Sequence, residues 1–279
     1  MLRASRRSLS GLDSLLIRRC GLPYLLITRD RMIHERMRYL VDEVVKTQQK
    51  VAVLDAGCGS GMALFYLDHY CRGSVTSYTG VDLNTERIAR RYSFISTPHS
   101  FHDVDLDSDW KLQGFDIIFC SEVIEHLVND ERLLRRLANH LNPRGILLLT
   151  TPNKRFVRHW AETFAGFDEV SQTQDGGHVR VGYNRKDLET LAKRVGLAIR
   201  DQLFLSRMAY GELRYREQLR KHGQHVNTVR YNWRWLIGSE VKRHDRCGHT
   251  LTHWTVAVAL AHPNASGQTA RLCDAAANS

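Results

Sequence analysis

The stretch VLDAGCGSG, Val53 to Gly61, restricts the fold more than any other part of the chain. A short apolar run ends in an acid, three glycines follow at alternate positions, and the apolar run MALFYL begins at once. That order reads as a buried strand, a tight loop that brings backbone close to a ligand, and a helix. The same unit recurs downstream. SYTGVDL (77–83) reads as a second strand before the helical run TERIARRYSFI, and a short strand lies near HSFHDV (99–104). FDIIFC (115–120) is a fourth strand before the helix NDERLLRRLANHL. Asn142 to Gly145 reads as a turn, GILLLTT as a fifth strand, LAIRDQLFL as a sixth and HWTVAVALA as a seventh. Alternation of this kind predicts an α/β, Rossmann-like doubly wound sheet, its parallel strands joined by right-handed crossovers. Ligands of such sheets sit at the carboxyl ends of the strands.

Flanking pieces complete the layout. Residues 30–46 read as a helix capped by Asp30, with Ile33, Met37, Leu40, Val41, Val44 and Val45 on one face. NRKDLETLAKRVGL reads as another, with Asn184 as cap and Asp187 three residues on. The expected organisation is a basic arm and cap helix over 1–45 and a catalytic domain over 46–263. A basic aromatic insertion spans 206–247, and 264–279 is expected to be a disordered tail.

The net charge of +10 belongs to the flanks. Residues 1–38 hold nine arginines against three acids, and 206–247 hold ten Lys/Arg against four acids. The Arg- and Ser-rich beginning has the composition of an organelle transit peptide, although a basic arm on a cytoplasmic protein is the plainer expectation. No apolar run approaches the roughly 20 residues that span a bilayer, so neither a transmembrane segment nor a secretory signal of the usual form is expected. The six cysteines show no metal-finger spacing and read as reduced thiols.

A dinucleotide loop needs G-x-G-x-x-G, yet position 62 is methionine. Asp55, ending the first strand, would repel a pyrophosphate and suit a ligand that carries ammonium and sulfonium charges. S-adenosylmethionine has both charges and no phosphate. Gly57, Gly59 and Gly61 would let the backbone approach it. Asp82, ending the second strand, would accept from the ribose hydroxyls, and Leu83 would give the adenine an apolar face. Asp105, with Asp103 next to it, would take the adenine amino group, and Ser121 is a further cofactor contact.

VLDAGCGSG, GVDLN, FDIIFCSEVIEHL and GILLLTTPN, in this order, resemble the class I S-adenosylmethionine-dependent methyltransferases. The resemblance covers about residues 45–205 and implies a seven-stranded sheet with an antiparallel last strand, and methyl transfer. Glu122, Glu125 and His126 follow strand four, at a spacing predicted to make them converge. His178 sits on a glycine-rich loop that could reach the same edge. This set resembles the ubiquinone-biosynthesis O-methyltransferases, and next the Hen1-type small-RNA 2′-O-methyltransferases. The resemblance implies either Mg²⁺ or Mn²⁺ held by Glu122, Glu125, His126 and His178, or proton transfer by His126, His178 and Glu125 without metal. The expected acceptor is a small-molecule hydroxyl: a phenol, quinone precursor, lipid-like intermediate or secondary metabolite. RNA ribose methylation is the alternative. A catalytically silent binding protein of the same fold is a third reading, which the intact cofactor residues oppose.

Tyr210, Tyr215, Tyr231, Trp233 and Trp235 punctuate the basic insertion. It reads first as a lid over the acceptor. Nucleic-acid binding and peripheral attachment to an anionic membrane are the other readings.

Overall fold

The computed structural model describes residues 24–112, 114–154, 178–205, 255–264 and Leu272. The basic arm through residue 23 and the aromatic segment 206–247 lie outside the described residues.

Helix α1 runs from Tyr24 to Val45. Its residues Ile33, Met37, Leu40, Val41 and Val44 are buried at the predicted helical spacing. The helix starts a turn and a half before Asp30, so Asp30 is not its cap. Pro23, directly before it in sequence, is the better sequence signal, because proline is favoured where helices begin.

Strand β1 (Val51–Ala56) leads through the glycine loop to α2 (Met62–Tyr70). Then come β2 (Val75–Asp82), α3 (Glu86–Arg91), β3 (His99–Asp103) and β4 (Phe115–Ser121). A three-residue 3-10 turn, Ile124–His126, precedes α4 (Asp130–His140), and β5 spans Leu141–Pro152. Helix α5 (Arg185–Arg194), β6 (Ala198–Leu205) and β7 (Thr255–Ala261) complete the described elements. The strand order is β3-β2-β1-β4-β5-β7-β6, parallel except for β7, which runs antiparallel to both β5 and β6. The Rossmann-like sheet read from the sequence is therefore present.

Period-two alternation along the central strands fills both faces. Val53, Ile117, Phe119, Ile146 and Leu148 join one cluster with α1 and α2. Leu54, Ala56, Ile118, Cys120, Leu147 and Leu149 join the other with α4 and α5. Burial on both faces is what makes these strands read as continuous apolar runs. Helix α5 carries the expected capping box, with Asn184 accepting from the Asp187 N–H and Asp187 accepting from the Asn184 N–H.

Two further points differ from the sequence reading. Asn142 to Gly145 is not a turn before β5 but an irregularity inside it: Phe115 pairs with Leu141, while Ile117 already pairs with Ile146. A bulge lets Pro143 sit in a strand without a ladder bond to lose. Leu272, within the 264–279 segment expected to be a disordered tail, is fully buried. Its N–H donates to Asp201 Oδ2 (2.7 Å) and its carbonyl accepts from Arg36 Nη1 (3.1 Å).

Candidate active site

The glycine loop lies between β1 and α2, where the sheet order reverses around β1. Gly57, Gly59 and Gly61 all have positive φ, at 79°, 52° and 75°. Only glycine adopts such angles without strain. A Cβ on Gly57 would stand 2.3 Å from Val123 Cγ2, so the loop also packs directly on the segment after β4. Gly57→Ala is expected to strain the loop by about 1–3 kcal/mol. Calorimetric titration should show that as roughly tenfold to hundredfold weaker cofactor binding. Unchanged affinity would remove the loop from cofactor binding.

Asp82 closes the loop from β2. Its Oδ2 accepts from the Gly59 N–H (2.8 Å) and its Oδ1 from the Leu83 N–H (2.7 Å). Both oxygens are thereby fixed, and each keeps lone-pair capacity for a ribose hydroxyl. Leu83 is 72% exposed beside it, an apolar surface of the sort a purine would cover. Asp103 and Asp105 divide their work. Asp103 Oδ1 accepts from both the N–H and the hydroxyl of Thr85, and those bonds hold its carboxyl below the usual carboxylate range. Asp103 thus ties β3 to the start of α3. Asp105 forms a local turn by accepting from the Asp107 N–H (2.9 Å) and is otherwise exposed.

Asp55 is buried, and Tyr78 donates its hydroxyl to Asp55 Oδ2 at 2.5 Å. Burial pushes the Asp55 carboxyl up to about 7, the Tyr78 bond opposes that rise, and the charge of Asp82 adds to it. Tyr78 escaped the sequence reading. Its signal was present, since a tyrosine in a strand buried on both faces needs a partner for its hydroxyl. Cys58 and Cys120 are buried thiols raised far above their ordinary range by burial, and Cys71 is pushed up to about 12 for the same reason. Such thiols are inert packing groups.

At the end of β4, Ser121 Oγ and Thr150 Oγ1 lie 3.0 Å apart, and Thr150 donates to Glu122 Oε1 (3.1 Å). Glu122 has φ 55°, the one positive value among the described non-glycine residues. That backbone turn places its carboxylate on Thr150 and outside the group formed by its neighbours. Glu125, His126 and His178 do come together, with one ligand atom from each lying within 4.8 Å of the others. The two imidazole rings are 4.4 Å apart and nearly perpendicular. Glu125 is fully buried and accepts from the Thr151 hydroxyl (3.2 Å). Three of the four residues expected to converge are thus brought together, and Glu122 is bonded to Thr150.

His178 is delivered by the loop that leads to α5. Val179 N–H donates to Glu125 O (2.9 Å), and Tyr183 exchanges backbone bonds with Pro152 and Lys154 at the end of β5. A cleft of about 550 Å³ lies against this loop, lined by Lys154, Val179, Arg180, Gly182, Tyr183 and Asp187 among others.

An acid-ended first strand, a left-handed glycine loop tied to the second-strand acid, and an antiparallel last strand define a Rossmann-like fold of the class I methyltransferase type. Comparison with known proteins agrees. A family profile described as a methyltransferase domain matches residues 28–202, well over half of the chain, and the chain belongs to that family. S-adenosylmethionine is the cofactor of the class, and the glycine cradle, Asp82 and Leu83 fit it. The chain is 25% identical over 129 residues to a ubiquinone biosynthesis O-methyltransferase of Rickettsia prowazekii, covering 44% of this chain and 50% of that protein. It is 27% identical over 156 residues to the mitochondrial ubiquinone biosynthesis O-methyltransferase of Saccharomyces cerevisiae, covering 52% and 48%. The chain thus spans about half the length of these curated relatives. Among solved structures, the plantazolicin methyltransferase BamL, in complex with a triazolic desmethylPZN analog and SAH, superposes with a TM-score of 0.53. That match has 13% identity and covers 90% of this chain and 95% of the other. It speaks for the fold alone. No helix among the described residues is long and apolar enough to cross a membrane.

Proposed function

We propose that the protein methylates a hydroxyl of a small molecule, a phenol or quinone precursor above all, with S-adenosylmethionine as donor. The observation that carries this reading is the meeting of Glu125, His126 and His178 after β4, next to the cofactor loop through Val123. The named relatives, both ubiquinone biosynthesis O-methyltransferases, point the same way.

Asp55, Gly57, Gly59, Gly61, Asp82, Leu83, Asp105 and Ser121 would hold the cofactor. Bound there, it supplies an electrophilic methyl carbon whose bond to sulfur breaks with the electron pair going to sulfur. The chain's own work is alignment and proton handling. The acceptor hydroxyl needs its proton removed as oxygen attacks, and an imidazole of His126 or His178 is placed to receive it. Buried Glu125 would stabilise the imidazolium that results. The same three residues offer one carboxylate oxygen and two imidazole nitrogens to a divalent cation. With Glu122 outside the cluster the set is nitrogen-rich, which suits Mn²⁺ or Zn²⁺ better than Mg²⁺.

A turnover assay with methyl-labelled cofactor tests the reading against two pools, small phenols and short RNAs, each with and without chelator. Label is expected in the phenol pool. Label confined to RNA would overturn the assignment in favour of ribose methylation, whose supporting segment, 206–247, lies outside the described residues. Turnover lost to chelator and restored by Mn²⁺ would assign the cluster to a cation. Turnover indifferent to chelator would assign the proton to an imidazole.

A further inference from the structure

The three reactive side chains come from two segments. Glu125 and His126 sit on a 3-10 turn of three residues, and His178 sits on a loop 52 positions further along the chain. The turn is buried at Ile124 and Glu125 but holds few backbone bonds of its own. His126 N–H donates to Val123 O at 2.9 Å, and the next bond, Leu127 N–H to Ile124 O, is already 3.4 Å. Turns of this kind have poor internal bonds and leave carbonyls without backbone partners at their ends.

One side chain donates to carbonyls of the turn and of the two residues after it. Arg180 Nη1 donates to Ile124 O (3.0 Å) and Leu127 O (2.8 Å), and Nη2 donates to Val128 O (2.9 Å). Nη1 also donates to the Tyr183 hydroxyl (2.8 Å), which in turn donates to Asp130 Oδ2 (2.7 Å). Asp130 lies 3.4 Å from Nη1 and balances the charge. Arg180 is two residues from His178, and its neighbour Val179 donates to Glu125 O at 2.9 Å. The guanidinium therefore links the two carriers of the cluster directly.

We propose that Arg180 is the positioning residue of the reaction: its guanidinium, bonded to the carbonyls around the Ile124–His126 turn, sets His178 against His126 and Glu125. This rests on the reading of that cluster as the reactive centre. The role uses both arms of the planar fork, because Nη1 meets Ile124 O, Leu127 O and the Tyr183 hydroxyl while Val128 O is bonded by Nη2, and one ammonium nitrogen cannot stand at both places. A misplacement of about 1 Å at a reacting group costs on the order of a hundredfold in rate.

The test uses the full chain with Arg180→Lys, Arg180→Met and the milder Tyr183→Phe, which removes the hydroxyl between Arg180 and Asp130 and leaves the guanidinium in place. Turnover, affinity for S-adenosylhomocysteine by calorimetry, and proton NMR of the histidine rings are measured together. The perpendicular rings of His126 and His178 should give a ring-current shift that reports their contact without reference to activity. Arg180→Lys and Arg180→Met are expected to lower kcat about a hundredfold and to erase the ring-current shift, with cofactor-product affinity unchanged. Tyr183→Phe should show a smaller loss of both, and it carries the test alone if the arginine variants do not fold. Retention of the ring-current shift with near-normal kcat in the folded variants would overturn the proposal. Erasure of the shift in Arg180→Met, combined with full turnover in a Glu125→Ala/His126→Ala protein, would keep Arg180 as the positioner and sink the reactive-centre reading instead.

Discussion

Replacing Glu125 and His126 together by alanine is expected to leave cofactor binding intact and to lower turnover by roughly a hundredfold to ten-thousandfold. The separation follows from the layout. Most groups proposed to hold the cofactor lie elsewhere, in β1 and its glycine loop, at the end of β2 and beyond β3, where Asp82 and Asp105 accept from backbone N–H groups of their own loops. The double variant removes most of the cluster, together with the bond that Thr151 donates to Glu125. His178→Ala alone should fall in the same direction by a smaller factor, because groups acting as one unit do not contribute additively. Isothermal titration with S-adenosylhomocysteine and single-turnover rates with a phenolic acceptor check the two halves separately. A double variant that turns over normally would take the cluster out of the mechanism. A double variant that no longer binds the product nucleoside would show that the turn shapes the cofactor loop through Val123.

Side chains whose direction follows from a strand's or a loop's own regularity were readable in the sequence. Asp55 and Asp82 end parallel strands, so the pleat and the switch point place them at the ligand edge whatever the rest does. His178 was readable for a different reason, since a run of glycines beside a histidine marks backbone that can approach closely. The direction of Glu122 was not readable, because helical spacing after β4 is a poor guide there. One left-handed residue breaks that spacing and turns the carboxylate to Thr150. Arg180 was invisible for the opposite reason: its partners are backbone carbonyls, which carry no sequence signature. Tyr78 lay between these cases, its burial predictable but its bond to Asp55 dependent on strand register. The β5 irregularity at Asn142–Gly145 had turn composition, and only pairing with β4 converts it into a bulge.

Asp55 should make cofactor binding depend on pH in a direction opposite to the stability of the free protein. Its carboxyl stands at about 7 in the fold against an ordinary 3.8, chiefly because it is buried. A raised pKa means that the native state holds a proton which the unfolded chain has released. The Asp55 contribution to stability is therefore fully present below about pH 4 and is lost as pH rises towards 7. Three units correspond to about 4 kcal/mol, or roughly ten degrees in melting temperature for a domain of this size. Asp55→Asn can still accept from Tyr78 and carries no charge. At pH 8 it is expected to melt above the parent protein without ligand, and at pH 4.5 the two should nearly coincide. Binding runs the other way. A ligand bearing ammonium and sulfonium charges favours ionised Asp55, so affinity should rise about tenfold per pH unit up to 7 and then level off. The Asn variant should bind weakly at every pH, with no such slope. Thermal melts of the free proteins and titrations of the nucleoside across pH 5–9 measure both trends. A parent protein whose affinity is flat across that range, or an Asn variant that binds as tightly, would show that the acid at the end of β1 is a buried structural group and no counter-charge to the methyl donor.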